Sequence, residues 1–262
     1  MFRSLGASRS DRQNRLVAAL LAGIGGYVNC AGFVLIGTFT SHVTGLVGRF
    51  GDDLASDELG AALAAATMIL AFCGGAFVAS MQIESNLFGR TVNAYGAALL
   101  SEAALLLLFT VLSRFLAPTH ARMTDMQAAI LCTAMGMQNS LVTRLSGAVV
   151  RTTHMTGVVT DLGIEGARWF RWWRGRLSTA WGVKLSFGGN PPEAPSLPKI
   201  ALLSTILGAF TVGAIAGAAA AIALRHAAML VPCVAVAALG AYALWSGARA
   251  DVDEAPPRES RK

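Results

Sequence analysis

Six stretches of this chain are apolar for long enough to cross a lipid bilayer, and nothing else in it limits the fold so strongly. They run roughly from Leu16 to Gly37, Leu59 to Met81, Val92 to Phe115, Met126 to Thr143, Ile200 to Leu224 and Ala227 to Trp245. A helical span needs about 20 apolar residues. Inside hydrocarbon every backbone N–H and C=O must find a partner within the protein, so single long apolar runs can only be helices. The expected fold is therefore all-α: a polytopic transmembrane helix bundle of six spans. Composition agrees, since only 14% of the 262 residues are charged, against about 25% in soluble domains. The first run is too long for a signal peptide, and no cleavage site followed by a soluble domain comes after it. The four cysteines, Cys30, Cys73, Cys132 and Cys233, all fall in apolar runs and form no C-x-x-C pair. They read as small packing residues.

The basic residues give an orientation. With the N-terminus inside, six spans leave only Arg49, Arg114, Arg122 and Arg225 of the 21 Lys and Arg residues on the outer side. The positive-inside rule then places both termini in the cytoplasm. The formal charge of +6 reflects this topology and does not point to nucleic acid. The longest connection, near residues 166–199, carries Arg168-Trp169-Phe170-Arg171-Trp172-Trp173-Arg174-Gly175-Arg176. Tryptophan mixed with arginine suits the headgroup layer. The segment reads as an interfacial stop, with an anionic lipid at Arg168 to Arg176 as the alternative. Residues 1–15 read as a basic N-tail, 190–195 as a Pro-rich linker and 250–262 as a disordered polar C-tail.

A nine-residue segment appears twice. Phe39-Thr40-Ser41-His42-Val43-Thr44-Gly45-Leu46-Val47 returns as Arg151-Thr152-Thr153-His154-Met155-Thr156-Gly157-Val158-Val159, with a core of [ST]-H-x-T-G. Each copy follows an apolar run. Gly26-Tyr27-Val28-Asn29 in the first run parallels Gly136-Met137-Gln138-Asn139 in the fourth. Ala71-Phe72-Cys73-Gly74-Gly75-Ala76 in the second parallels Ala209-Phe210-Thr211-Val212-Gly213-Ala214 in the fifth. Three spans per copy is an odd number, so the second copy is turned over in the membrane. The expectation is a 3+3 inverted repeat, 16–116 and 117–249, with a site where the halves meet.

The polar residues of the repeat are the candidates for that site. Asn29 and Asn139 are amides in lipid and need partners for donor and acceptor alike; they are either interhelical ties or ligand contacts. His42 and His154, with Thr44 and Thr156, follow spans 1 and 4. There the chain is expected to stop, turn and restart as a broken or re-entrant helix, with Gly45 and Gly157 allowing the bend or a close approach. The free N–H groups of a helix start attract anions and polar ligands. Glu102 is the one acidic residue placed inside a span and is the candidate for coupling, since intramembrane carboxylates are costly. Asp161 and Glu165, after the second motif, read as solvated surface.

The chain has no phosphate-binding loop, no Gly-x-Ser-x-Gly elbow and no His-Glu-x-x-His. Two histidines make a poor zinc site. No metal, cofactor or enzymatic activity is expected. The Gly-Tyr-Val-Asn, Thr-Ser-His-Val-Thr-Gly, Gly-Met-Gln-Asn and Thr-Thr-His-Met-Thr-Gly segments quoted above together resemble the YoaK family of bacterial membrane proteins, over nearly the whole chain. The resemblance implies an inner-membrane location and no particular substrate. That family usually has Asp at the position of Asn29 and Asn at the position of Leu46. If its Asp handles protons or cations, Asn29 cannot do so in the same way. The reading favoured by the duplication is a small secondary transporter or permease for an unidentified small molecule or ion. A non-transporting scaffold or sensor is the first rival, and a membrane-embedded enzyme using His42 or His154 as a base is the second.

Overall fold

A computed structural model describes residues 11–85, 91–115, 121–145, 153–180 and 194–253. Residues 1–10 of the basic N-tail, positions 151 and 152 of the second motif, residues 190–193 of the linker and the tail beyond 253 lie outside the described residues. The described residues are helical, without a strand. In chain order the helices are α1 (Asp11–Ile36), α2 (Val43–Ala55), α3 (Leu59–Glu84), α4 (Thr91–Phe115), α5 (Ala121–Leu145), α6 (Met155–Ala180), α7 (Leu197–Leu224) and α8 (Leu230–Asp253). A 3₁₀ turn at Arg225–Met229 separates the last two. α1 begins inside the expected N-tail, and α8 runs on into the expected C-tail.

Among the described residues, four stretches are long and apolar enough to cross a membrane: Arg15–Ile36, Leu59–Glu84, Asn93–Phe115 and Leu197–Gly247. The last is 51 residues long and is divided by the 3₁₀ turn into α7 and α8. α5 matches the others in length but not in hydropathy. Its polar residues Gln127, Gln138 and Asn139 are buried within the bundle, so the helix is lined for the interior.

The expectation of a loop near residues 166–199 is wrong for its first part. The Trp/Arg segment forms the C-terminal half of α6. A stripe of exposed Trp169, Phe170 and Trp173 with arginines between them is an amphipathic helix, which a search for apolar runs does not find.

The core is made by helix pairs that meet through glycine. α1 packs along α7: Gly213 lies against the backbone of Gly23, Gly26 against Phe210 and Ala214, and Gly217 against Tyr27. The numbers rise together, so these helices run in the same direction. α3 packs along α5 in the same sense, with Gly75 against Thr133, Gly136 against Phe72 and Ala76, and Ser80 hydrogen-bonded to Ser140 at 2.8 Å. α4 and α8 are antiparallel, since Gly96 meets Gly240 and Leu244 while Asn93 meets Gly247. Small residues at such crossings let backbones approach closely. α1 and α5 cross in opposite directions, with Gln138 Nε2 donating to the Leu21 carbonyl at 3.2 Å and Gly32 facing Leu131.

Candidate functional site

α1 ends at Ile36 because Gly37 takes φ 73° and donates its N–H to the Phe33 carbonyl at 2.8 Å. Glycine enters this left-handed region without strain. The chain then doubles back, pinned by Phe39 stacked on Phe33 with ring centroids 4.2 Å apart. The return brings the Ser41 N–H to the Asn29 Oδ1 at 3.0 Å, and α2 starts one residue past His42. In the second copy the Thr153 hydroxyl donates to the Asn139 Oδ1 at 2.6 Å, and α6 starts just after His154. Each asparagine thus ties the end of one helix to the start of the next.

The expected bend does not fall at Gly45 or Gly157. Both sit inside the first turn of their helices, and the bend of the first copy is at Gly37. Gly45 instead makes room for a side chain, because a Cβ there would run into the imidazole of His42, which lies over it. The space beside Gly157 is open.

The two helix starts meet at one cavity of about 550 Å³. From the first copy Asn29, His42 and Thr44 line it, and from the second His154, Thr156 and Gly157. Ser41 and Thr153 add polar groups. The apolar wall is built by Ile69, Phe72 and Cys73 of α3 and by Phe210 of α7. Phe72 and Phe210 stand midway along their helices, so the cavity lies at mid-height of the bundle. Of the predicted site residues, Asn29, His42, Thr44, His154 and Thr156 are brought together. Asn139 stays behind the wall, its Nδ2 donating to the Met135 carbonyl at 2.8 Å. The apolar wall was not anticipated as part of a site, although Phe72 and Phe210 stand in the two repeated segments quoted above.

Glu102 lies apart from the cavity, in the middle of α4. It is fully buried, and neither carboxylate oxygen has a hydrogen-bond partner among the described residues. Glu165 is also buried, which corrects the reading of solvated surface. Arg168 approaches its Oε1 to 2.9 Å and Lys199 of α7 to 3.3 Å. Burial works against the charged form, but Lys199, Arg168 and the Ser196 backbone outweigh it and hold this carboxyl below its usual range. Asp161 is half exposed, 3.6 Å from Lys199. No cluster of three or more metal-ligating side chains occurs among the described residues.

An all-helical bundle with membrane-length apolar helices and a polar cavity at mid-height defines a class of integral membrane protein. The profile of one family, described as protein of unknown function (DUF1275), matches residues 17–242. The chain belongs to that family, of which the YoaK-like proteins are members. No curated protein and no solved structure matches it.

Proposed function

We propose that this protein is a small secondary transporter or permease, without enzymatic activity, whose substrate occupies the cavity between the two motif segments. One observation carries the reading. Two copies of one polar motif, from opposite halves of the chain, open onto a single cavity at mid-height of the bundle.

The helix register supports six spans in a 3+3 inverted repeat. In six alternating crossings the first and fifth share a direction, as do the second and fourth, while the first opposes the fourth and the third opposes the sixth. Taking α1, α3, α4, α5, α7 and α8 as those crossings, the observed pairs obey every one of these relations. Exchange of the halves also maps the contacts onto each other. Gly26 against Phe210 answers Gly136 against Phe72, and Asn29 with Ser41 answers Asn139 with Thr153. α2 and α6 are then re-entrant helices that begin near the midplane and run to opposite faces. At 1.5 Å per residue α2 is about 20 Å long, enough to cross the outer half of a hydrocarbon core about 30 Å thick. On the same scale Trp169 lies about 21 Å from the start of α6, in the headgroup layer, where Arg168 to Arg176 would meet anionic lipid. Both termini are cytoplasmic in this arrangement, in a bacterial inner membrane. Glu102 is the coupling residue, a carboxyl without a partner at the centre of the third crossing.

The test uses a cysteine already in the wall. Cys73 lines the cavity, and Cys30→Ala, Cys132→Ala and Cys233→Ala leave it alone. In oriented vesicles a membrane-impermeant maleimide is expected to label Cys73 from either face, because a transporter site opens alternately to both. Labelling from one face only, or from neither, overturns the proposal.

A further inference from the structure

The cavity offers hydrogen-bond donors and positive ends of helices, and no Asp, Glu, Lys or Arg lines it. Asn29 is the decisive residue. It is 7% exposed, and the Ser41 N–H bonded to its Oδ1 fixes which way the amide faces. Its Nδ2 is therefore the group left over, and it has no protein acceptor among the described residues. The counterpart Asn139 is satisfied at both ends, by Thr153 and Met135. Only the copy that lines the cavity keeps a donor in reserve. A donor on the cavity lining without a protein acceptor is available to whatever fills the site.

The helix starts point to the charge of what fills it. α2 and α6 each open with no acidic residue in the first turn, and no side chain caps α2. Each N-terminus carries roughly half a unit of positive charge, so two together complement about one negative charge. Opposite them stand Ile69, Phe72 and Phe210, which favour an apolar body.

We infer that the substrate is a small organic monoanion, a carboxylate-type group on an apolar frame, with the anionic oxygens held by Asn29 Nδ2 and the first turns of α2 and α6. This inference rests on the reading of the cavity as a substrate site. Benzoate, benzamide and benzylamine share one ring and differ in charge, and their dissociation constants would be measured calorimetrically on the purified full chain. Benzoate is expected to bind at least tenfold more tightly than the other two. Asn29→Asp keeps the acceptor for Ser41 but replaces the donor with negative charge, and is expected to weaken benzoate at least tenfold while the elution profile stays monodisperse. Preference for benzylamine, equal binding of all three, binding of none, or benzoate affinity unchanged in the variant would each overturn the inference. Should the variant not fold, the charge series on the unaltered protein decides alone. Labelling of Cys73 from both faces without ligand is read separately, so a wrong ligand class and a wrong transport reading give different results.

Discussion

Gly26 and Gly136 show how much a single hydrogen atom in place of a methyl group can decide. A Cβ on Gly26 would overlap the Phe210 carbonyl, and one on Gly136 would overlap the Phe72 carbonyl. The obstacle is backbone in both cases, so no rotamer change relieves it. Gly26→Ala and Gly136→Ala are each expected to cost about 1–3 kcal/mol, the usual range for overpacking, seen as a lower thermal midpoint in detergent. Gly48 and Gly51 of α2 face open space. Alanine there should cost nothing, or add the roughly 0.5–1 kcal/mol that a helix interior gains on losing glycine. Equal effects at all four positions would refute the packing argument. The Gly-x-x-Asn pairs were legible as repeats, because the same residues recur in order. Their partners were not, since sequence order does not say which helices touch.

α6 is held to the bundle by charge at one point of its length. Lys199, in the first turn of α7, reaches both Asp161 and Glu165. The carboxyl of Glu165 sits below the ordinary value of 4.5 in the folded protein. Its contribution is therefore present above that value and lost as pH falls through the lowered one. Glu165→Gln removes the contribution. The difference in thermal midpoint between the unaltered protein and this variant is expected to be constant from neutral pH down to about the ordinary carboxylate value, and to vanish on further acidification. A difference that persists undiminished in acid would show that the carboxylate is not its source. Hydropathy alone hid this element, because tryptophans and arginines average to an indifferent value. What the average loses is the face: the same residues alternate around a helix into an apolar stripe and a basic one.

For the molecule as a whole, the arrangement of crossings makes a two-sided prediction. In the proposed inverted repeat, α2 and α6 leave the cavity for opposite faces. In a cysteine-free background, Ser56→Cys at the end of α2 is expected to react with an impermeant maleimide in intact cells. Arg171→Cys on α6 is expected to react only after permeabilisation. Reaction of both from one face would break the inverted repeat. All six apolar runs became helices, α1, α3, α4, α5, α7 and α8, and the two motifs were legible as a pair. Their meeting place was not. It depends on the chain turning back at Gly37 and on the Phe33–Phe39 stack, and neither leaves a mark on periodicity or hydropathy. Charge counting could not find Glu165 either, since a buried carboxylate and a solvated one are written with the same letter.

The pairing of helices also has a bearing on how the chain is made. α1 finds its glycine-to-glycine partner in α7, and α3 finds its own in α5. During synthesis the first three membrane helices therefore leave the ribosome with their closest-packing faces bare. They remain so until helices from the far end of the message arrive. The early half alone offers an incomplete packing surface, which the late half completes. Assembly of this protein is a docking of two halves within one chain.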